Sequence, residues 1–289
     1  MAVASIDDFL SWEFGSIRYT FVCQGCSFPT DWHKCFADYK VNGPNDLNSV
    51  GGMVYVAPEQ RRDHSAFIIP PKSVRASCRA FPIAFGGLRV DHYDVSGVLW
   101  LQSGSRHVGH FLIYDDPMSF ARAILIVAVQ NLPLHNRLIV HGSGVVIDDR
   151  CWVFIGRSGA GKTTISTELR GRGRPFSVDR TVLEVQDSRV VAYPTPFSDH
   201  NGMTENLGPF PVAGLVFIEQ SLEHEVVRLD ALQAAKQLLN NIPVYVRSRE
   251  FDNAVLGLAN SICSKSTCLS MKFRKDSGFW QKLEGSISR

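Results

Sequence analysis

The sequence predicts an α/β protein in which a phosphate-loop domain follows a β-rich N-terminal domain, with residues 1–115 and 116–289 as the two parts. Three observations lead there. Gly156-Arg157-Ser158-Gly159-Ala160-Gly161-Lys162-Thr163 fits G-x-x-x-x-G-K-[ST]. The apolar run Trp152-Val153-Phe154-Ile155 precedes it, and a helix pattern from Thr164 to Leu169 follows, which is the strand–loop–helix order such a loop needs. Ahead of residue 115, short alternating apolar runs are divided by clusters such as Gly51-Gly52, Pro70-Pro71 and Gly86-Gly87.

The loop chemistry follows from residue types. Glycines let the backbone close round a polyphosphate with its N–H groups pointing inward. A helix N-terminus adds partial positive charge and free donors. Gly156, Arg157, Ser158, Gly159, Ala160, Gly161, Lys162, Thr163 and Thr164 are therefore the expected nucleotide-binding residues. Lys162 would reach the β- and γ-phosphates of ATP, and the Thr163 hydroxyl would sit on Mg²⁺.

Composition excludes several classes. The chain has 289 residues, 45% of them hydrophobic and 20% charged, which is ample for a packed core. A net charge of +2 is too mild to imply nucleic acid or an anionic membrane as partner. No apolar run approaches the roughly 20 residues needed to cross a bilayer. The start of the chain has no basic region and carries Asp7 and Asp8, so a cytoplasmic protein is expected. Seven cysteines in a chain of this length do not suggest a disulfide framework. Cys23, Cys26, His33 and Cys35 have spacings a zinc knuckle could use, although no second C-x-x-C supports it and buried thiols are the blander reading.

Along the chain, strands are expected at 16–23, 54–56, 67–69, 90–93, 98–102 and 110–114. Asp116 and Pro117 mark the start of an apolar helix that Pro133 stops. Two short strands, 138–141 and 144–147, separated by a turn, then lead through a second turn at Asp148-Asp149 into the phosphate-loop strand. After the loop, Arg170, Arg172 and Arg174 complement the end of the helix, and an interleaved glycine supplies a left-handed cap. Asp179 follows on the next strand of the unit, where a carboxylate can face Mg²⁺ or a substrate hydroxyl. Asp199 and His200, in a Pro-fixed loop, could contact phosphate, metal or substrate, or be loop polars. Strands at 211–219 and 267–273 and helices at 229–240, 251–263 and 277–287 complete the chain.

From about Leu138 onward the chain resembles the HPr kinase/phosphorylase superfamily, in its shorter HPr-kinase-like branch. The resemblance rests on Val140-His141-Gly142, on the loop at the family's spacing from that histidine, on Phe176-Ser177-Val178-Asp179-Arg180-Thr181-Val182, and on Tyr193-Pro194-Thr195-Pro196-Phe197 and the 211–220 segment. It implies a mixed-sheet phosphate-loop fold shared with phosphoenolpyruvate carboxykinase, and an oligomer. It also implies that His141 and Asp179 act at the metal and at the acceptor proton, beside Lys162. Relatives tend to have Asp-Asp where this chain has Val178-Asp179, so one carboxylate is missing. The expectation is a kinase moving the γ-phosphoryl of ATP to a hydroxyl, either a serine of a peptide or protein or a small-molecule alcohol. Thr163 and Asp179 would be on Mg²⁺, with His141, Asp179 and Lys162 catalytic. The alternatives are a nucleotide-binding sensor or scaffold without transfer, and an ABC-type ATPase, which the absent Ser-Gly-Gly-Gln signature opposes.

Overall fold

The structure is a computed structural model. It describes residues 8–14, 17–23, 50–57, 63–64, 67–68, 79–82, 87–92, 95–102 and 106–114, then 117–197, 208–245 and 247–287. The chain forms two compact units: Met1–Leu134 with Val244–Arg249, and His135–Pro243 with Glu250–Arg289.

The first unit holds a seven-stranded sheet. Its strands are β1 (Asp8–Phe14), β2 (Ile17–Cys23), β3 (Val50–Ala57), β6 (Arg79–Pro82), β7 (Gly87–His92), β8 (Val95–Gln102) and β9 (Arg106–Tyr114), in the order β1-β2-β3-β9-β8-β7-β6. A small separate pair, β4 (Asp63–His64) and β5 (Phe67–Ile68), accompanies it. The strands expected from alternation are all present; β1, β4 and β6 are additional. Helix α1 (Pro117–Asn131) packs on β9, β8 and β3. It was expected to open the second domain at 116, but this packing puts it in the first unit, and the division falls after Leu134. Every residue from Ala123 to Leu132 is buried, as a helix apolar on all sides requires. Cys26, His33 and Cys35 lie outside the described residues, as do Asp116, Asp199 and His200, and the Cys23 side chain is likewise undescribed.

The second unit is built on a mixed sheet of eight strands. They are β10 (Arg137–Ile147), β11 (Arg150–Ile155), β12 (Arg174–Ser177), β13 (Arg180–Gln186), β14 (Arg189–Pro194), β15 (Phe210–Gln220), β16 (Glu225–Arg228) and β17 (Cys268–Phe273). The path β11-β10-β13-β14-β15 closes on itself because β15 also pairs with β11, in parallel. β17 adds to β15 in parallel, with β16 antiparallel at the edge, and β12 pairs with β10.

Two sequence expectations are corrected here. Residues 138–147 form one strand, with no turn between its halves. β10 pairs with β13 through His141 and with β11 from Gly142 onward. The change of partner falls at Gly142, where even a Cβ would lie 3.2 Å from the Phe154 carbonyl oxygen. The helix after the loop has no glycine cap: its C-cap is Leu169 in right-handed conformation, and the Arg172 and Gly173 amides bond the Leu169 carbonyl. Gly173 serves close approach, since a Cβ there would meet the Val146 carbonyl oxygen at 2.7 Å.

The core follows from period-two alternation. Trp152 and Phe154 of β11, Val216 and Ile218 of β15, and Leu269, Met271 and Phe273 of β17 are buried in one cluster. Ile165 and Leu169, after the loop, join this cluster, as do Phe279, Trp280 and Leu283 of α5 (Gly278–Ile287). Trp152 and Trp280 meet edge to face at 5.9 Å. Helix α3 (Ala231–Leu239) packs on β15 and β17 through a unit that also includes α4 (Arg249–Ser264). Asp230 caps α3 in a reciprocal box: its carboxylate accepts from the Gln233 amide at 2.8 Å, and Gln233 Oε1 accepts from the Asp230 amide at 3.3 Å. Asp230→Ala is expected to cost about 1 kcal/mol, read as a lower urea midpoint at unchanged slope; an unmoved midpoint would show the box to be energetically silent.

Candidate functional site

β11 ends at Ile155 and the chain enters the glycine loop at Gly156, whose amide donates to the His141 carbonyl at 3.2 Å. Glycine is required at two loop positions for different reasons. At Gly156 a Cβ would stand 2.8 Å from Ala160 Cβ and 2.9 Å from Ile218 Cγ1. Gly161 has φ 103°, and a Cβ there would collide with the Phe273 ring at 2.5 Å. The loop closes with the Ala160 amide on the Arg157 carbonyl at 3.0 Å. Helix α2 (Lys162–Glu168) starts directly behind it. Among the described residues, the amides of Arg157, Ser158, Gly159, Gly161, Lys162 and Thr163 have no carbonyl partner. A run of such free donors is what a polyphosphate would satisfy.

Lys162 is buried, and its ammonium donates to the carbonyls of Gly156 at 2.8 Å and Arg157 at 3.0 Å. Burial lowers its pKa, the Asp179 charge opposes that, and the Arg180 charge adds to the lowering. Thr163 is exposed at the first turn of α2.

Beside the loop, His141 and Arg180 sit directly opposite one another on β10 and β13. Asp179, immediately before β13, bridges them: Oδ1 meets His141 Nε2 at 2.9 Å and Oδ2 meets Arg180 NH1 at 3.1 Å. Burial disfavours ionisation of Asp179, but the His141 hydrogen bond and the charges of Arg180, His141 and Lys162 outweigh it and hold the carboxyl below its usual range. The backbone is tied at the same place. The His141 amide donates to the Asn241 carbonyl at 2.7 Å, and the Gly142 amide to the Asp179 carbonyl at 3.1 Å. Thr181 Oγ1 donates to the Gly142 carbonyl at 3.0 Å.

The sequence-predicted residues His141, Asp179 and Lys162 thus share one region with the loop. Three participants were not expected. Arg180 follows Asp179 and could have been found from the β13 alternation. Asn241, after α3, and Gln220, whose Nε2 donates to the Gly159 carbonyl at 2.6 Å, carry no local signal. A cleft of about 730 Å³ runs along the loop. It is lined by residues 156–160, by 217–220 at the end of β15, and by Gln237, Asn241 and Ser270. Among the described residues, no group of three or more His, Cys, Asp or Glu side chains could hold a metal ion. A cation bound mainly through phosphate oxygens and water needs only one or two protein ligands, and the Thr163 hydroxyl and the Asp179 carboxylate are oxygen donors of the kind it takes.

The fold and site define a mixed α/β domain with a glycine-rich strand–loop–helix turn beside a hydrogen-bonded His–Asp–Arg cluster. No family model and no curated protein matches the chain. Among solved structures the chain is similar to the HPr(Ser) kinase/phosphatase from Coxiella burnetii, at 10% identity and a TM-score of 0.31, covering 52% of this chain and 99% of that one. Among the described residues, no helix is long and apolar enough to cross a membrane.

Proposed function

We infer that the chain is an ATP-dependent kinase that transfers the γ-phosphoryl group to a hydroxyl, of a peptide or protein serine or of a small-molecule alcohol. The observation that carries this is that the phosphate loop and the carboxylate–histidine pair are tied together: the Gly156 amide donates to the His141 carbonyl at 3.2 Å, and His141 Nε2 meets Asp179 Oδ1 at 2.9 Å. A reaction between a polyphosphate and an alcohol needs those two kinds of group side by side.

The free loop amides and Lys162 hold the phosphates and stabilise charge on the leaving oxygen. A magnesium ion, held through Thr163 and Asp179, would supply further neutralisation of the phosphate oxygens. The His141–Asp179 pair orients the acceptor and takes its proton as the O–P bond forms and the β,γ-bridging bond breaks, releasing ADP. The second reading, a nucleotide sensor without transfer, is favoured by one observation: both Asp179 oxygens are already engaged, by His141 and by Arg180.

The test is incubation with γ-labelled ATP and Mg²⁺, with and without extract of the native cells, beside Lys162→Ala. Label in a protein or peptide fraction, lost with Lys162→Ala, identifies a protein kinase; label in the small-molecule fraction identifies a metabolite kinase. ATP binding without lysine-dependent label would replace the kinase reading by the sensor.

A further inference from the structure

Arg180 has no assigned task in that scheme, yet it is built like a ligand. Its side chain is three-quarters buried at 25% exposure, and it stands on β13 directly opposite His141, whose carbonyl holds the Gly156 amide at the start of the loop. Its backbone is pinned, because the Ser177 and Thr195 hydroxyls both donate to the Arg180 carbonyl, the latter at 2.9 Å. One guanidinium nitrogen, NH1, serves both Asp179, at 3.1 Å, and the Phe197 carbonyl, at 3.4 Å. Nε and NH2 have no acceptor among the described residues. A guanidinium carries five donors in a planar fork, so the face that could engage an oxyanion bidentately is left over.

We propose that Arg180 binds the non-bridging oxygens of the terminal phosphate of a nucleoside triphosphate, together with Lys162. The inference rests on the nucleotide reading above. Asp179 sets the guanidinium's direction by holding NH1, which leaves the remaining edge for the phosphate. The residue then distinguishes a triphosphate from a diphosphate. A structural role for Arg180, as a mere counter-ion to Asp179, would give no such discrimination between nucleotides.

Calorimetric titration tests this without turnover. Wild type, Arg180→Gln and Arg180→Lys are titrated with Mg²⁺–ADP and with a Mg²⁺–β,γ-imido analogue of ATP. Arg180→Gln is expected to weaken the triphosphate analogue about 10- to 100-fold and ADP less than about 3-fold. Arg180→Lys, which keeps the charge but loses the fork, falls between. Retained ADP binding reports that the variants are folded. Equal losses for the two nucleotides, or no loss for either, overturn the role of Arg180 and leave the kinase reading standing. Wild type that binds neither nucleotide overturns both.

Discussion

Asp179→Asn is expected to lower phosphoryl transfer by about 10²–10⁴-fold while nucleotide affinity changes only a few-fold. Asparagine keeps the shape of the side chain, and its carbonyl oxygen can still accept from His141. It cannot stabilise the imidazolium that forms when the acceptor's proton is taken, and it removes the negative charge that favours the ammonium of Lys162. Single-turnover transfer and equilibrium binding, measured on the same preparation, separate the two effects. Near-normal transfer by the variant would remove Asp179 from the chemistry. The same substitution has an acid signature. The Asp179 pKa is lowered on folding, so its contribution to stability is complete above its unfolded value, about 3.9, and is lost as pH falls through the lower folded value. The difference in Tm between wild type and Asp179→Asn should therefore be constant above about pH 5 and shrink steadily as the carboxylate range is crossed downward.

The second large effect is on stability. Phe273→Ala is expected to cost about 3–5 kcal/mol. The ring is fully buried, meets Phe279 edge to face at 5.8 Å, and belongs to the cluster that joins β11, β15 and β17 to α5. Deleting it loses the transfer energy of the ring and leaves a cavity directly under the glycine loop, because Phe273 fills the space beside Gly161. Urea denaturation would read the loss. The variant should also bind nucleotide more weakly than its residual folded fraction explains, since Gly161 at φ 103° then lacks the surface it rests on. A cost below about 1 kcal/mol would mean that the surrounding chain collapses into the gap.

The sequence made the local part of this structure readable. Alternation located most strands, and the motif located the loop together with Lys162, because both signals lie within a few consecutive residues. Asp179 is legible from its place on the strand that follows the loop helix, and the role of His141 from the segments that carry the family resemblance. What stayed hidden depends on partners far apart in sequence. The parallel pairing of β11 with β15, which closes the strand circuit, has no local marker. β10 was divided in two because Gly142-Ser143 resembles a turn; only the neighbouring strands show that the chain continues straight through. The glycines interleaved with the arginines read as a source of a cap, whereas Gly173 is a contact point. Asn241 enters through its carbonyl, which any residue type could supply, so no composition or pattern could have pointed to it.

β10 passes between two sets of strands, and its crossing point lies at the site itself. The backbone of residues 141 and 142 is bonded at once to Gly156, Asp179 and Asn241. The gap between the proton-accepting pair and the phosphate cradle is consequently a ruler marked in main chain, with side chains standing at fixed graduations. Exchanging the side chain at 141 or 179 changes what stands at the mark and leaves the scale untouched. Lengthening the Asp148-Asp149 turn, at the other end of the β10–β11 hairpin, would leave the scale untouched as well. A residue inserted between His141 and Gly142, by contrast, would shift the histidine by one division and turn it to the opposite face of the sheet.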